Sequence, residues 1–138
     1  MATLLLKRSS DSKLQRVFFE GDAPSAGGTS VFYKPFYPYY AAVYVYYLPG
    51  TSGWTNSFGG ATTMLWNPSV SNLGFNGNQI GFSITGTPNI PVEVDSCQDL
   101  ANPTWVSLKV CSITNGSIYF GDLLWTNSLS RFYRIRSP

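Results

Sequence analysis

The sequence contains no histidine, and charged residues make up only 12% of its 138 residues. Without histidine, the chain cannot build a Ser-His-Asp or Cys-His nucleophilic centre, and it lacks the commonest transition-metal ligand. Two cysteines without a histidine cannot complete an ordinary structural zinc site. Gly59 and Gly60 are followed by neither a lysine nor a helix start, so they form no phosphate-binding loop. We therefore expect a protein that is not an enzyme and that binds no cofactor or metal.

Strong net charge and long apolar runs are also missing. The net charge is +2, too small for the basic stripe with which nucleic-acid-binding proteins neutralise several phosphates. No stretch approaches the ~20 apolar residues of a membrane-spanning helix. The run of leucines at residues 4–6 is shorter than a signal-peptide core of ~7–15 residues. We therefore expect no nucleic-acid partner, no membrane insertion and no signal peptide in this chain.

The second half of the chain shows the period-two alternation of half-buried β-strands. Five strands are predicted there, over residues 80–84, 90–94, 106–110, 118–120 and 131–136. Asn115-Gly116 precedes the fourth strand and is a strong hairpin signal. Strands with one buried face need a second sheet to cover them. The sequence thus predicts an all-β fold, an antiparallel β-sandwich of the immunoglobulin or fibronectin kind, without helices.

The first half is predicted to form a smaller β module rich in aromatic residues. Strands are predicted over residues 17–20, 43–48 and 62–66, and loops over residues 51–60 and 69–78. The aromatic run at residues 32–40 contains two prolines, which exclude it from a helix interior and from a central strand. We expect a loose N-terminal lead-in at residues 1–16, the module at 17–70 and the terminal sandwich domain at 71–138.

The charged residues of the second half offer two candidate sites. Glu93 and Asp95 lie on one face of a strand, at a separation that would suit a glycosidase pair, and with Asp99 they could hold calcium. No loop of alternating acids and no pocket that would raise a carboxyl pKa accompanies them, so exposed strand carboxylates are the favoured interpretation. The three arginines within residues 131–136 could bind an anion, but charges on a solvated edge strand are the commoner arrangement.

The two cysteines, Cys97 and Cys111, permit one disulfide. A hairpin turning at Asn102-Pro103 would place Cys97 near Trp105 and Cys111 at the far end of its strand. Bridged Cα atoms must approach within about 7 Å. The pairing therefore disfavours a disulfide, which only a crossover connection would allow.

Aromatic residues are the one feature above background, at 16% of the chain. Six of them are candidates for a ligand-binding or interface surface: Tyr37, Tyr39, Tyr40, Tyr44, Tyr46 and Trp54. Exposed rings of this kind stack on sugars in carbohydrate-binding modules. Tyrosines on one strand face also pack across sheets and at interfaces. Packing or self-association is the favoured interpretation, and glycan binding is the alternative.

Several separated blocks resemble one known family in their order and spacing. They are residues 81–92 (GFSITGTPNIPV), 97–105 (CQDLANPTW), 121–122 (GD), 125–127 (WTN) and 131–138 (RFYRIRSP). They resemble the C-terminal β domain of bacterial surface and secreted proteins that often follows BspA-type leucine-rich repeats. Upstream, residues 17–25 (VFFEGDAPS) look like the exit of a last repeat, and residues 45–54 and 65–68 look like its connector.

The resemblance implies an extracellular or cell-surface location and a place within, or descent from, a longer exported protein. It implies no catalytic or ligand-binding residues. Cys111 stands where the family pattern has Thr or Ser, and the repeat array itself is missing from this sequence. The expected function is that of a non-catalytic structural module that caps a repeat array or associates with copies of itself. A lectin-like module with an aromatic platform is the alternative.

Overall fold

The computed structural model describes residues 4–5, 14–25, 30–32 and 42–138. Among these residues, strands and one short 3-10 helix at Trp125–Asn127 are the regular elements, and no α-helix occurs. The prediction of an all-β chain is confirmed. The chain divides into two compact units, Met1–Asn67 and Pro68–Pro138.

The first unit contains one five-stranded sheet. Its strands are β1 (Leu4–Leu5), β2 (Arg16–Phe19), β3 (Tyr44–Tyr47), β4 (Ser57–Phe58) and β5 (Ala61–Leu65), in the order β1-β2-β3-β5-β4. The three inner strands β2, β3 and β5 run parallel, while β1 and β4 pair antiparallel at the two edges. The predicted strands at 17–20, 43–48 and 62–66 coincide with β2, β3 and β5 within two residues.

Two short strands lie where the sequence suggested irregular chain. Within the predicted lead-in, Leu4 pairs with Phe19 and Leu5 with Phe18. Within the predicted loop at 51–60, β4 turns back onto β5 through Gly59 and Gly60. Both glycines have positive φ, at 58° and 84°, which glycine adopts without steric cost. Neither short strand carries enough residues to show a period in the sequence.

Apolar side chains on one face of the parallel strands form the core of the first unit. The buried members are Val17, Phe19, Val43, Val45 and Ala61. Four partly buried side chains pack against them, namely Leu14, Phe32, Trp54 and Phe58. Because strand side chains alternate between faces, Val17 and Phe19 of β2 lie on the same side as Val45 of β3.

The second unit contains two three-stranded antiparallel sheets. Its strands are β6 (Ser69–Asn76), β7 (Gln79–Thr85), β8 (Pro91–Cys97), β9 (Val106–Ser112), β10 (Ser117–Asp122) and β11 (Phe132–Arg136). One sheet has the order β10-β7-β6 and is here called the β7 sheet. The other has the order β11-β8-β9 and is called the β8 sheet. The two sheets touch where the Tyr133 ring lies 5.9 Å from Phe82 and 6.0 Å from Phe120, measured between ring centroids.

Strand β6 corrects the prediction of a polar loop at 69–78. The pairing with β7 shifts register between Ser71 and Gly74, so that β6 has one residue more than its partner. Asn72 takes a positive φ of 56° at this bulge, which asparagine tolerates better than most residues. The extra residue breaks the period-two pattern, and for this reason the sequence hides the strand.

The turn at Asn115-Gly116 forms, but it does not make the predicted hairpin. Both residues have positive φ, 51° and 78°, as a type I′ turn requires. The strands on its two sides belong to different sheets, because β9 pairs with β8 and β10 pairs with β7. A tight turn fixes only the local reversal of the chain. The partner of β10 is selected by burial instead, as when Phe120 packs on Phe82 with 5.1 Å between ring centroids.

Candidate interaction surfaces

The sequence proposed an aromatic surface in the first unit, and the structure separates its members. Tyr37, Tyr39 and Tyr40 lie outside the described residues. Tyr44 is exposed on β3, whereas Tyr46 is only 3% exposed and stacks on Phe18 at 4.8 Å between centroids. Burial raises the pKa of Tyr46. Tyr46 is therefore a packing residue, with no free ring face for a ligand.

Trp54 packs on the opposite side of β3. Its ring stacks on Tyr47 at 5.3 Å and also contacts Phe19 at 5.0 Å, between centroids. Its indole Nε1 donates a hydrogen bond to the carbonyl oxygen of Gly21 at 3.3 Å. Tyr47 points away from Tyr44 because they are an odd number of positions apart on one strand. Tyr44 and Trp54 thus do not form a common platform.

Glu93 and Asp95 correct the prediction of exposed strand carboxylates. They are 6% and 1% exposed, and β11 places an arginine directly opposite each of them, Arg136 beside Glu93 and Arg134 beside Asp95. Arg136 contacts Glu93 at 2.7 Å and Asp95 at 2.8 Å, and Arg134 contacts Asp95 at 3.0 Å. The four side chains form one ion-pair cluster on the β8 sheet.

The cluster is built to keep Asp95 ionised. Burial disfavours the charged carboxylate, but hydrogen bonds from Arg136 and Arg134 together with their charges outweigh burial and hold the pKa of Asp95 below its usual range. Arg134 also lies over the ring of Trp105, with its guanidinium carbon 4.2 Å from the centroid. These arginines are therefore occupied by partners within the unit rather than fully solvated on an edge. The sequence shows both the two acids and the two arginines at a spacing of two, but sequence reasoning did not pair the two segments with each other.

A second polar cluster joins the two sheets of the second unit. Asp122 ends β10, contacts Arg131 at 2.7 Å and accepts a hydrogen bond from the Tyr133 hydroxyl at 2.9 Å. Burial, together with the bond to Asp122, raises the pKa of Tyr133 to about 12. Asp122 also accepts from the backbone N–H of Leu124 at 2.9 Å. The carboxylate thus fixes the start of the connection that leads from one sheet to the other.

The cysteines are free thiols, buried at Cys97 and half-buried at Cys111. Cys111 pairs with Val92 across the hairpin of β8 and β9. Val92 and Cys97 are five residues apart, or about 16 Å along a strand, well beyond the reach of a disulfide. Burial raises the pKa of the Cys111 thiol.

The β6 edge is the surface that sequence reasoning overlooked. Val70, Leu73 and Phe75 are 46%, 65% and 67% exposed. Val70 pairs with Ile84 and Phe75 with Ile80, so the bulge keeps these apolar side chains on one face of the β7 sheet. Val70 and Leu73 also line a cleft of about 450 Å³. Its apolar lining comes from β6, β7 and β11, through Val70, Leu73, Phe82, Phe132, Tyr133 and Ile135.

The β6 edge also differs in charge from the other three sheet edges of the second unit. Lys109 lies on β9, Asp122 on β10, and Arg134 and Arg136 on β11. Strand β6 has no charged residue, and no Asp, Glu, Lys or Arg occurs anywhere between Lys34 and Glu93. Proteins often protect edge strands from pairing with other chains by placing charges there. A β-bulge is another way to protect an edge strand, and β6 has the bulge but no charge.

In the part of the chain that the structure describes, no group of three or more His, Cys, Asp or Glu side chains is placed to hold a metal ion. Within the same residues, no helix is long and apolar enough to cross a membrane. Comparison with known protein families, with curated proteins and with solved structures gave no match. The resemblance to the C-terminal domain of bacterial surface proteins stays a prediction.

Proposed function

We propose that the protein is a non-catalytic, extracellular structural module that associates with copies of itself through the open edges of its sheets. The observation that carries the proposal is the exposure of large apolar side chains along these edges. Leu73 and Phe75 on β6, and Val106 and Val110 on β9, are each more than half exposed. Edge strands with exposed apolar side chains pair readily with other chains, through backbone hydrogen bonds and apolar contact.

The same proposal includes a sandwich in the second unit and a repeat-capping role for the first. The sandwich is supported by the contacts of Tyr133 with Phe82 and Phe120 between the two sheets. The capping role is supported by the parallel strands β2, β3 and β5, which stack in register, with Arg16 beside Tyr44 and Tyr44 beside Thr62. Stacked parallel strands are typical of solenoid repeats.

Sedimentation velocity across a wide range of concentrations, without added ligand, tests self-association. A sedimentation coefficient that rises with concentration to discrete oligomers or filaments is the expected result. A single monomeric species at every concentration would overturn the proposal.

Glycan binding is the second candidate, and exposed Tyr44 favours it. Its neighbours in register, Arg16 and Thr62, are also exposed, so an aromatic ring stands between polar side chains that can bond hydroxyl groups. Tyr44→Ala is the cleaner test variant, because Trp54→Ala would also remove core packing. A shift of tryptophan fluorescence on adding polysaccharide, lost in Tyr44→Ala, would support this candidate; an unchanged spectrum would exclude it.

A further inference from the structure

We propose that the self-association interface is β6 itself, paired antiparallel with β6 of a second copy around a two-fold axis. This inference rests on the proposed function and names the surface and the partner. Within the described part of the chain, β6 is the outer strand of its sheet and pairs only with β7. The backbone groups of such an outer edge are best satisfied by an extended peptide. An occupant must therefore be a strand.

The apolar face of β6 favours a partner strand that also carries apolar side chains on one face. Val70, Leu73 and Phe75 are exposed. The first two line the cleft, and Phe75 contacts the ring of Trp125. A second β6, running antiparallel, presents these same three side chains in reverse order. With the axis between Asn72 and Leu73, Val70 lies opposite Phe75 of the second copy, and the reverse contact forms by symmetry.

Charge distinguishes β6 from the β9 and β11 edges of the second unit as a self-pairing surface. Two copies of β9 paired about Lys109 would oppose one lysine to another. On β11, Arg134 and Arg136 are already engaged by Glu93 and Asp95. Like charges on facing strands are destabilising. Two copies of β6 bring no charges together, because the strand has none. The surface is therefore compatible with a second copy of the same chain.

The bulge of β6 is accommodated by the same symmetry. It adds one residue between Ser71 and Gly74, so Val70 and Phe75 lie on one face although they are five positions apart. Antiparallel pairing of Val70 with Phe75 then keeps apolar side chains opposite apolar side chains. Without the bulge, Val70 and Phe75 would lie on opposite faces of the strand, because they are an odd number of positions apart.

Charge reversal at Leu73 tests the interface and its symmetry. Leu73 is 65% exposed and lies next to the proposed axis. Leu73→Lys alone and Leu73→Glu alone should each weaken dimerisation by roughly 100-fold or more, because like charges then meet across the axis. An equimolar mixture of the two variants should form a dimer again. Leu100→Lys and Leu100→Glu are the matched controls, since Leu100 is 56% exposed in the connection between β8 and β9.

Four outcomes of sedimentation velocity are decisive. Loss in both single variants, recovery in the mixture and wild-type behaviour of the controls support the proposal. Association unchanged by either Leu73 variant would overturn it while leaving self-association in place. Loss without recovery in the mixture would also overturn it, because β6 would then meet a different surface such as β9. A wild-type chain that stays monomeric would overturn both this inference and the proposed function.

Hydrogen exchange on the wild-type chain gives a readout independent of the variants. Amides of β6 should exchange more slowly as the concentration rises, while those of the β9 edge keep their rates. Dimer formation with unchanged β6 exchange would overturn the proposal even if a Leu73 variant failed to fold.

Discussion

Both units combine aliphatic and aromatic side chains in their cores, but only the second adds ion pairs to them, within the described residues. In the first unit, Phe19, Trp54 and Phe58 contact one another in a ring cluster. Among the residues that the structure describes, every ion pair lies in the second unit. Ring packing depends on shape, and ion pairs depend also on protonation. The two units should therefore respond differently to truncation and to acid.

The largest expected effect is the loss of a ring from the first unit. Phe19→Ala removes a buried side chain that contacts both Trp54 and Phe58, and it should lower the free energy of unfolding of that unit by about 3–5 kcal/mol. Chemical denaturation followed by tryptophan fluorescence measures it. The control is Val31→Ala, at an exposed position, where a change within about 0.5 kcal/mol is expected. Equal effects of the two variants would contradict the assigned core.

A smaller loss of stability is expected from removing the charge of buried Asp95 in the second unit. Asp95→Asn leaves Arg134 and Arg136 without their shared carboxylate. Breaking a buried pair costs several kcal/mol, but both arginine side chains remain about 40% exposed, so we expect a loss of about 2 kcal/mol. Asp99→Asn is the matched control, because exposed Asp99 accepts only a backbone hydrogen bond from Ala101, which the amide oxygen preserves. A loss of the same size in the control would show that charge removal in general, not the cluster, is responsible.

Acid should reveal the smallest of the three differences. The pKa of Asp95 is lower in the folded chain than in the unfolded chain, where it is about 3.9. Its contribution to stability is therefore fully present above that value and is lost as the pH falls through the folded pKa. The wild-type chain should lose more stability than Asp95→Asn between pH 5 and pH 2, as followed by thermal unfolding. Parallel curves for the two proteins would mean that Asp95 is not held ionised by its arginines.

Strands with uninterrupted alternation could be predicted from the sequence. Residues 80–84 and 131–136 fall within β7 and around β11 because each strand keeps a regular period. Strand β6 was missed because its bulge breaks the period. The partner of β10 was missed because Asn115-Gly116 carries only local information, whereas pairing with β7 depends on contacts more than thirty residues away.

The candidate surfaces were predicted less well than the strands, because burial also depends on segments that are distant in the sequence. The sequence identifies tyrosine and tryptophan as large amphipathic side chains, but not which of their faces is covered. Tyr46 is buried and stacks on Phe18, and Trp54 is partly covered by Phe19 and Tyr47. Asp95 looked exposed because its arginines follow it by about forty residues in the chain. Burial at these positions is a property of distant segments.

The position of β8 has a consequence for how the chain matures. This strand is buried along its whole length and lies between β9, which follows it directly, and β11, which comes near the end of the sequence. During synthesis, β9 is available early, but Glu93 and Asp95 have no counter-ions until Arg134 and Arg136 have been made. Closing a sheet through so distant a segment is slow. The second unit should therefore complete its folding only after β11 emerges from the ribosome. A nascent chain that still lacks β11 should remain a substrate for chaperones or proteases.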